Sequence, residues 1–174
     1  MSKKSHFTLL GVPVRLHPRL LLWIIIYGPI GYAIARWRGI EHRKALIIGL
    51  STVISWYHTD LMHVIGHIIS ARLAKASMDY VKWDVMPITG YYDHNVSPQQ
   101  HIGRSLGGPI ASALTALFYY QLRRWSKPKL LKAIFTPGYI QNLLISILCF
   151  LPDKRIDGGV IYYNIRELLS PRRD

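Results

Sequence analysis

The chain has 174 residues, of which 50% are hydrophobic and 18% are charged, and its mean hydropathy is +0.15. This length favours a single domain over residues 1–174, and the large, clustered apolar content excludes a disordered chain. A single cysteine excludes a disulfide scaffold. Basic residues exceed acidic ones by 13, which fits a nucleic-acid-binding protein or a membrane protein with basic helix ends.

Four long runs of the sequence are almost free of charge. They cover residues 20–35, 45–71, 105–122 and 133–152, and Asp60 is the one charged residue within them. A helix that crosses a bilayer needs roughly 20 apolar residues, and the helices of a soluble bundle would need polar outer faces. The sequence therefore predicts an all-α integral membrane protein with about four transmembrane helices. Pro137 and Gly138 place the start of the last helix near Tyr139.

The basic residues lie between these runs rather than along one helix face. Their placement accounts for the net charge without a nucleic-acid partner. It predicts that the chain is embedded in a lipid bilayer. The two sides of the membrane would carry 13 and 9 basic residues, a difference too small to fix the orientation. A small chain without a targeting segment favours a prokaryotic plasma membrane, with an organellar membrane as the alternative.

The second run carries three ionisable residues, Asp60, His63 and His67. Such groups are costly inside a membrane and indicate a function. Two histidines four residues apart leave the same helix face, which is how one helix offers two nitrogens to a tetrahedral metal. Asp60 shares this face and is a candidate to orient His63 or to act as a further ligand. Polar packing between helices is the alternative interpretation.

Between the second and third runs, residues 79–86 alternate in character, which predicts a strand. Val81 and Trp83 lie on one face of it, with Val85. Pro87 and Gly90 then indicate a turn. A loop that covers the helices is the alternative.

A third metal-ligand candidate follows the last run. Asp157 precedes two glycines there. The second and fourth spans run in the same direction, so the late histidines of one and the carboxylate just past the other should lie near one membrane face. A simple turn is the competing interpretation.

Taken in order, five segments resemble the site-2 protease family of intramembrane zinc metalloproteases. They are GVPVRLHPRLLLW before the first span, HVIGHIISARLA in the place of the HExxH helix, PITGYY, GRSLGGPIASALTAL, and NLLISILCFLPDKRIDGG in the place of the leucine-aspartate-glycine motif. The resemblance covers nearly the whole chain. It implies the fold of that family, with a strand or hairpin at the membrane edge that captures extended substrate, and zinc held by His63, His67 and Asp157.

The chain departs from the family at the residues that handle protons. Val64 stands where the family has its catalytic glutamate, Cys149 stands where it has an asparagine near the substrate, and residues 153–155 replace a proline-rich stretch. A valine neither accepts a proton from a metal-bound water nor passes it on. The sequence thus predicts a metal site without a catalytic residue.

The preferred hypothesis is a non-catalytic site-2-protease-like membrane protein, with a zinc site, that binds a transmembrane or extended segment of a partner or serves as a subunit of a larger membrane complex. The resemblance assigns partner binding to Val81, Trp83, Val85, Pro87, Gly90 and Cys149. The alternatives are an active intramembrane metalloprotease in which Asp60 is an atypical base, and a structural membrane protein with an empty site.

Overall fold

A computed structural model describes residues 7–85, 87–90, 95–153 and 155–170. These residues form five α-helices and one small sheet. The helices are α1 (Leu22–Trp37), α2 (His42–Leu73), α3 (Pro98–Trp125), α4 (Lys129–Leu148) and α5 (Asp157–Leu169), and the strands are β1 (Phe7–Leu9), β2 (Val12–Leu16), β3 (Tyr80–Trp83) and β4 (Pro87–Gly90).

The sheet corrects the expectation of an all-α chain. Its strand order is β1-β2-β3-β4, so the expected hairpin between α2 and α3 is present, and an N-terminal hairpin adds two further strands. β2 pairs with β3 in parallel, with Val14 opposite Val81. Leu10 and Gly11 form the turn of the first hairpin with φ values of 47° and 78°, a left-handed conformation that glycine adopts without strain. The Leu-Gly pair between short apolar stretches was the available signal.

The second hairpin turns earlier than the sequence predicts. The bend lies at Asp84 and Val85, where the Asp84 carboxylate accepts a hydrogen bond from the Val85 amide at 2.8 Å. Pro87 and Gly90 are instead the first and last residues of β4. A proline is tolerated there because β4 is an edge strand, and glycine is required at the other end because a Cβ would run into the Tyr80 ring.

Helix α2 is the centre of the molecule, and the sheet packs on one of its faces. A single apolar cluster fills this contact. Its members are Val12, Val14, Val64, Ile68, Ala71, Met78 and Val81. Burying one large apolar side chain stabilises the fold by about 1.5–3 kcal/mol. This cluster therefore provides most of the packing between the sheet and α2.

Helix α3 begins with a capping box, in which Ser97 and Gln100 satisfy each other's backbone amides, and Pro98 occupies the first turn. Further along, α3 comes against the backbone of α2. A side chain on Gly66 or on Gly107 would run into the backbone carbonyl of the other residue. This close approach lies next to His67 on α2 and to Gly108 on α3.

Helix α4 begins at Lys129, not near Tyr139 as the sequence predicts, and it passes through Pro137. Proline removes one backbone hydrogen bond and normally breaks a helix. Here, side-chain hydrogen bonds to α2 hold the next turn of α4 in place. Ser55 donates to Gln141 at 2.7 Å, and Asn142 donates to Thr59 at 2.7 Å.

Two helical segments of the described chain are long and apolar enough to cross a membrane. They are Pro18–Trp37, which includes a short 3-10 turn before α1, and Lys129–Leu148. Only 11% and 22% of the residues in their most apolar stretches are buried. Their apolar faces are thus largely exposed, as expected of helices that contact lipid.

Candidate metal centre

The two histidines of α2 point to one place. His63 and His67 lie one turn apart on the face toward α3, and their Nε2 atoms are 3.1 Å from each other. His67 is buried, and the His63 side chain is 15% exposed. One helix therefore presents two ring nitrogens that are close enough to bind the same metal ion.

The other nitrogen of each ring is held by α3. His67 Nδ1 donates to the backbone carbonyl of Arg104 at 2.9 Å, and His63 Nδ1 lies 3.0 Å from the Ser112 hydroxyl. A carbonyl accepts only, so the proton of neutral His67 is on Nδ1 and the lone pair on Nε2. A hydroxyl can accept or donate, so Ser112 accepts from His63 Nδ1 when the Nε2 lone pair of His63 is used to bind a metal. Such outer partners are what fix the tautomer and orientation of metal-binding histidines.

Asp157 completes the group from a distant part of the sequence. It is the first residue of α5, and its Oδ2 atom lies 3.4 Å from His63 Nε2 and 3.3 Å from His67 Nε2. The helix N-terminus favours a carboxylate at this position. Gly158 allows the approach, because a Cβ there would run into the backbone of residues 149–151. The Cys149 side chain lies beside the same carboxylate.

The loop before Asp157 is closed by a local ion pair. Asp153 accepts from the Arg155 guanidinium at 2.7 Å and from its backbone amide at 2.9 Å. These hydrogen bonds lower the pKa of Asp153 to about 2. The pair thus fixes a local turn two residues before the start of α5.

The donor set fits a divalent metal such as zinc. Ligand atoms of His63, His67 and Asp157 all lie within 4.8 Å of one another, and in the described part of the chain no other histidine, cysteine or acid joins them. Three acceptor atoms this close repel one another unless a metal cation or a proton lies among them. Two imidazoles and one carboxylate are a ligand set that zinc uses in proteins.

Val64, in the position of the family's glutamate, faces the other way. Its exposure is 0%, and it belongs to the apolar cluster under the sheet. Because one residue along a helix is a rotation of about 100°, the side chain after His63 turns from α3 toward β2 and β3. No proton acceptor is present at that position.

Asp60 also lies apart from the three clustered side chains. Its carboxylate is buried beside the Trp83 side chain, and its Oδ2 atom has no hydrogen-bond partner within the described residues. The partner that orients His63 is Ser112 rather than Asp60. Asp60 lies about one turn before His63 on the helix, and its carboxylate is beside the Trp83 side chain of β3.

The residues assigned to partner binding have mixed positions. Val81 is fully buried against α2, and Trp83 packs on the same cluster, so neither presents its side chain on the outer face of the sheet. The Val85 carbonyl accepts from the Trp23 indole. Pro87 and Gly90 delimit the edge strand. The structure therefore leaves the backbone of β4, and not these side chains, on the outer edge of the sheet.

Sequence reasoning missed the contributions of α3. Ser112 and the Arg104 carbonyl orient the rings, and Gly108 makes room for them, because a Cβ there would run into both imidazoles. The signal in the sequence was a short run of small residues, with Ser112 one turn after Gly108 inside an uncharged stretch.

No protein-family model and no curated protein matches the chain. A solved structure, the site-2 protease from Methanocaldococcus jannaschii, superposes with a TM-score of 0.61 at 14% identity, over 95% of this chain and 72% of that one. The chain has the site-2 protease fold. At this identity the likeness shows the fold alone, and the chemistry of the site has to be argued from its own residues.

Proposed function

We propose that this protein is a non-catalytic membrane protein of the site-2 protease fold that keeps a metal site and binds a segment of a partner protein. The observation that carries the proposal is Val64. It is sealed in the apolar cluster beside a complete set of three ligands, at the position where a protease of this fold would need its acid.

His63, His67 and Asp157 would hold the metal, with Ser112 and the Arg104 carbonyl orienting the two rings. A bound zinc ion polarises a water or carbonyl oxygen and also ties its ligands together. In this chain the second role is the useful one, because the three ligands join α2 to the start of α5. The site then acts as a clip between two distant segments of the fold.

Peptide-bond hydrolysis at this site would need a general acid or base, and among the described residues we find no side chain placed to act as one. General acid–base catalysis contributes roughly 10²–10⁴-fold in rate, and it requires a group within hydrogen-bond reach of the reacting water. Val64 has no such group, and Asp60 is directed toward Trp83. A carboxylate introduced at position 64 would also have to be buried among Val12, Val14 and Val81.

Partner binding is proposed for the edge of β4. This strand pairs with β3 on one side, and in the described part of the chain no strand covers its other side. An extended segment that adds to such an edge is held by main-chain hydrogen bonds and tolerates varied side chains. The sheet rests on the apolar cluster, so the edge is presented on a rigid support.

The membrane arrangement belongs to the same proposal. Helices α2 and α3 would cross the bilayer together with α1 and α4, giving four spans, and the plasma membrane of a prokaryote is the proposed location. Such a chain, with its β4 edge available, is suited to be an accessory subunit of a membrane complex.

A cleavage assay tests the absence of catalysis. The protein is reconstituted in liposomes with a pool of transmembrane peptides, and new peptide termini are detected by mass spectrometry for the wild type, His63→Ala and Val64→Glu. We expect no termini that depend on His63 in the wild type. Termini produced by the wild type and lost in His63→Ala would overturn the proposal.

A cross-linking experiment tests the β4 edge. A photoreactive residue is placed at Thr89 on β4 and, as the matched control, at Thr8 on the opposite edge strand β1. We expect capture of a protein segment at Thr89 and not at Thr8. Equal capture at both positions would contradict a specific role for β4.

The alternative function is an active protease with an atypical base. It is favoured by the partial openness of the site, since the side chains of His63 and Asp157 are 15% and 19% exposed. This alternative requires that Asp60→Asn abolish cleavage while the metal stays bound. Unchanged cleavage in that variant would remove Asp60 from the reaction.

A further inference from the structure

Helices α1 and α4 flank α2 and leave a groove between them that is lined by none of His63, His67 and Asp157. The groove encloses about 500 Å³, within the range of roughly 300–1,000 Å³ that is common for ligand pockets. Its walls and floor are mostly apolar. The floor includes Ile48, Thr52 and Trp56 of α2, and the walls include Ile34 of α1 and Ile140 and Leu144 of α4.

Most polar groups on the floor of the groove already have partners, and the Trp56 indole nitrogen is the exception among the described residues. Gln141 donates to the Thr52 carbonyl at 3.2 Å and accepts from Ser55 at 2.7 Å, and the Thr52 hydroxyl donates to the Ile48 carbonyl at 2.8 Å. Polar side chains of a partner helix would find little to bond there. The groove therefore suits a hydrocarbon chain.

The end of the groove at Arg38, which we call its mouth, lies at a strongly basic end of the bundle. Arg38 lines the groove just past the end of α1. Residues 36–44 contain four basic side chains and one acid, and residues 123–132 contain five basic side chains and no acid. The one acid, Glu41, is paired with Lys44 at 3.1 Å.

These two basic segments meet at the same end of the molecule. The start of α4 packs there on the junction of α1 and α2, where Leu130 and Ala133 contact a cluster that contains Ala35 and Ala45. No ion pair or hydrogen bond of the Arg38 guanidinium is found within the described residues, so its charge is available to a ligand.

We propose that the groove is a binding site for an anionic phospholipid, with one acyl chain between α1 and α4 and the phosphate at Arg38. Basic pockets between transmembrane helices are recognised places for anionic headgroups. The hydrocarbon walls hold the chain, and the charge at the mouth selects the headgroup. The site needs only that α1 and α4 lie in a membrane, and it is independent of the metal centre.

Native mass spectrometry of the detergent-purified protein tests the charge. Phosphatidylglycerol and phosphatidylcholine with the same acyl chains are titrated into the wild type, Arg38→Gln and Arg124→Gln. Arg124 is exposed at the same end of the bundle but does not line the groove. We expect tighter binding of phosphatidylglycerol by the wild type and about five-fold weaker binding by Arg38→Gln, as for the loss of one basic side chain near an anionic headgroup.

The same titration tests the groove itself. Ile34→Trp fills it from the α1 wall, and Thr136→Trp fills it from the α4 wall, should the first variant fold poorly. Ile25→Trp is the control, because Ile25 is 71% exposed on α1 and does not line the groove. Binding of both lipids should fall in the filled variants and stay unchanged in Ile25→Trp.

Three results would overturn the proposal. The first is an equal loss of phosphatidylglycerol in Arg124→Gln and Arg38→Gln, which would mean a diffuse surface charge. The second is undiminished lipid binding in both filled variants. The third is a dimer that dissociates in Ile34→Trp, which would assign the groove to a second copy of this chain.

Discussion

Two faces of α2 use the same helical spacing for opposite purposes. One face presents His63 and His67 to α3 and Asp157, and the other presents Val64, Ile68 and Ala71 to the sheet. The first face is polar, with each ring held by a hydrogen bond, and the second is closed by apolar packing. The contrast shows that the clustered ligands and the apolar packing use separate faces of one helix, so a substitution on one face can leave the other in place.

The largest expected effect is a loss of stability from a substitution on the apolar face alone. Ile68→Ala removes a side chain that is 1% exposed in the cluster under the sheet, and it should lower the free energy of unfolding by about 2–5 kcal/mol. Unfolding in mixed micelles measures this. Ile69→Ala, at a position that is 48% exposed, should cost less than about 1 kcal/mol. Metal affinity should be the same in both variants, and a large loss of affinity in Ile68→Ala would mean that the two faces are coupled.

A second substitution acts on the polar face alone. Ser112→Ala removes the partner of His63 Nδ1 and should weaken metal binding by about 10–100-fold, as expected when an outer partner of a ligand is lost. Competition with a chelating dye measures the affinity. Thr115→Ala is the matched control, because that hydroxyl donates only to a carbonyl of its own helix. Equal affinities in the two variants would contradict the orienting role of Ser112.

The smallest expected effect is a loss of stability from a substitution on the side of α2 that faces α4. Thr59→Val keeps the volume but removes the acceptor of the Asn142 amide. Interhelical hydrogen bonds in membranes contribute about 0.6 kcal/mol on average, so the free energy of unfolding should fall by about that amount. Thr136→Val is the control, since its hydroxyl bonds within α4. A loss above about 2 kcal/mol would indicate that this contact, rather than the sheet, dominates the packing of α2.

The polar face of α2 was largely predictable from the sequence, because the i, i+4 spacing of His63 and His67 determines their shared direction. The approach of Asp157 was expected because the second and fourth apolar runs were predicted to run in the same direction. Ser112 was not predictable, since its position depends on how closely Gly66 and Gly107 bring the helices together. That distance is a property of two segments and not of either alone.

The sheet and α4 show the same limit. β2 is short, and its partner β3 comes only after α1 and α2, so local patterns of residues do not reveal the pairing. Pro137 is a helix breaker by its own chemistry. It is tolerated within α4 because contacts with α2, such as that between Gln141 and Ser55, stabilise the helix beyond it. In both cases tertiary packing overrides the local preference.

The zinc content of the purified protein tests the central claim most directly, namely that His63, His67 and Asp157 form a metal site on this fold. Protein purified without chelator and loaded with zinc is analysed by inductively coupled plasma mass spectrometry. The account predicts about one zinc per chain in the wild type and in Ile68→Ala, and almost none in His67→Ala. A wild type that takes up no zinc, or a His67→Ala variant that keeps it, would contradict the account.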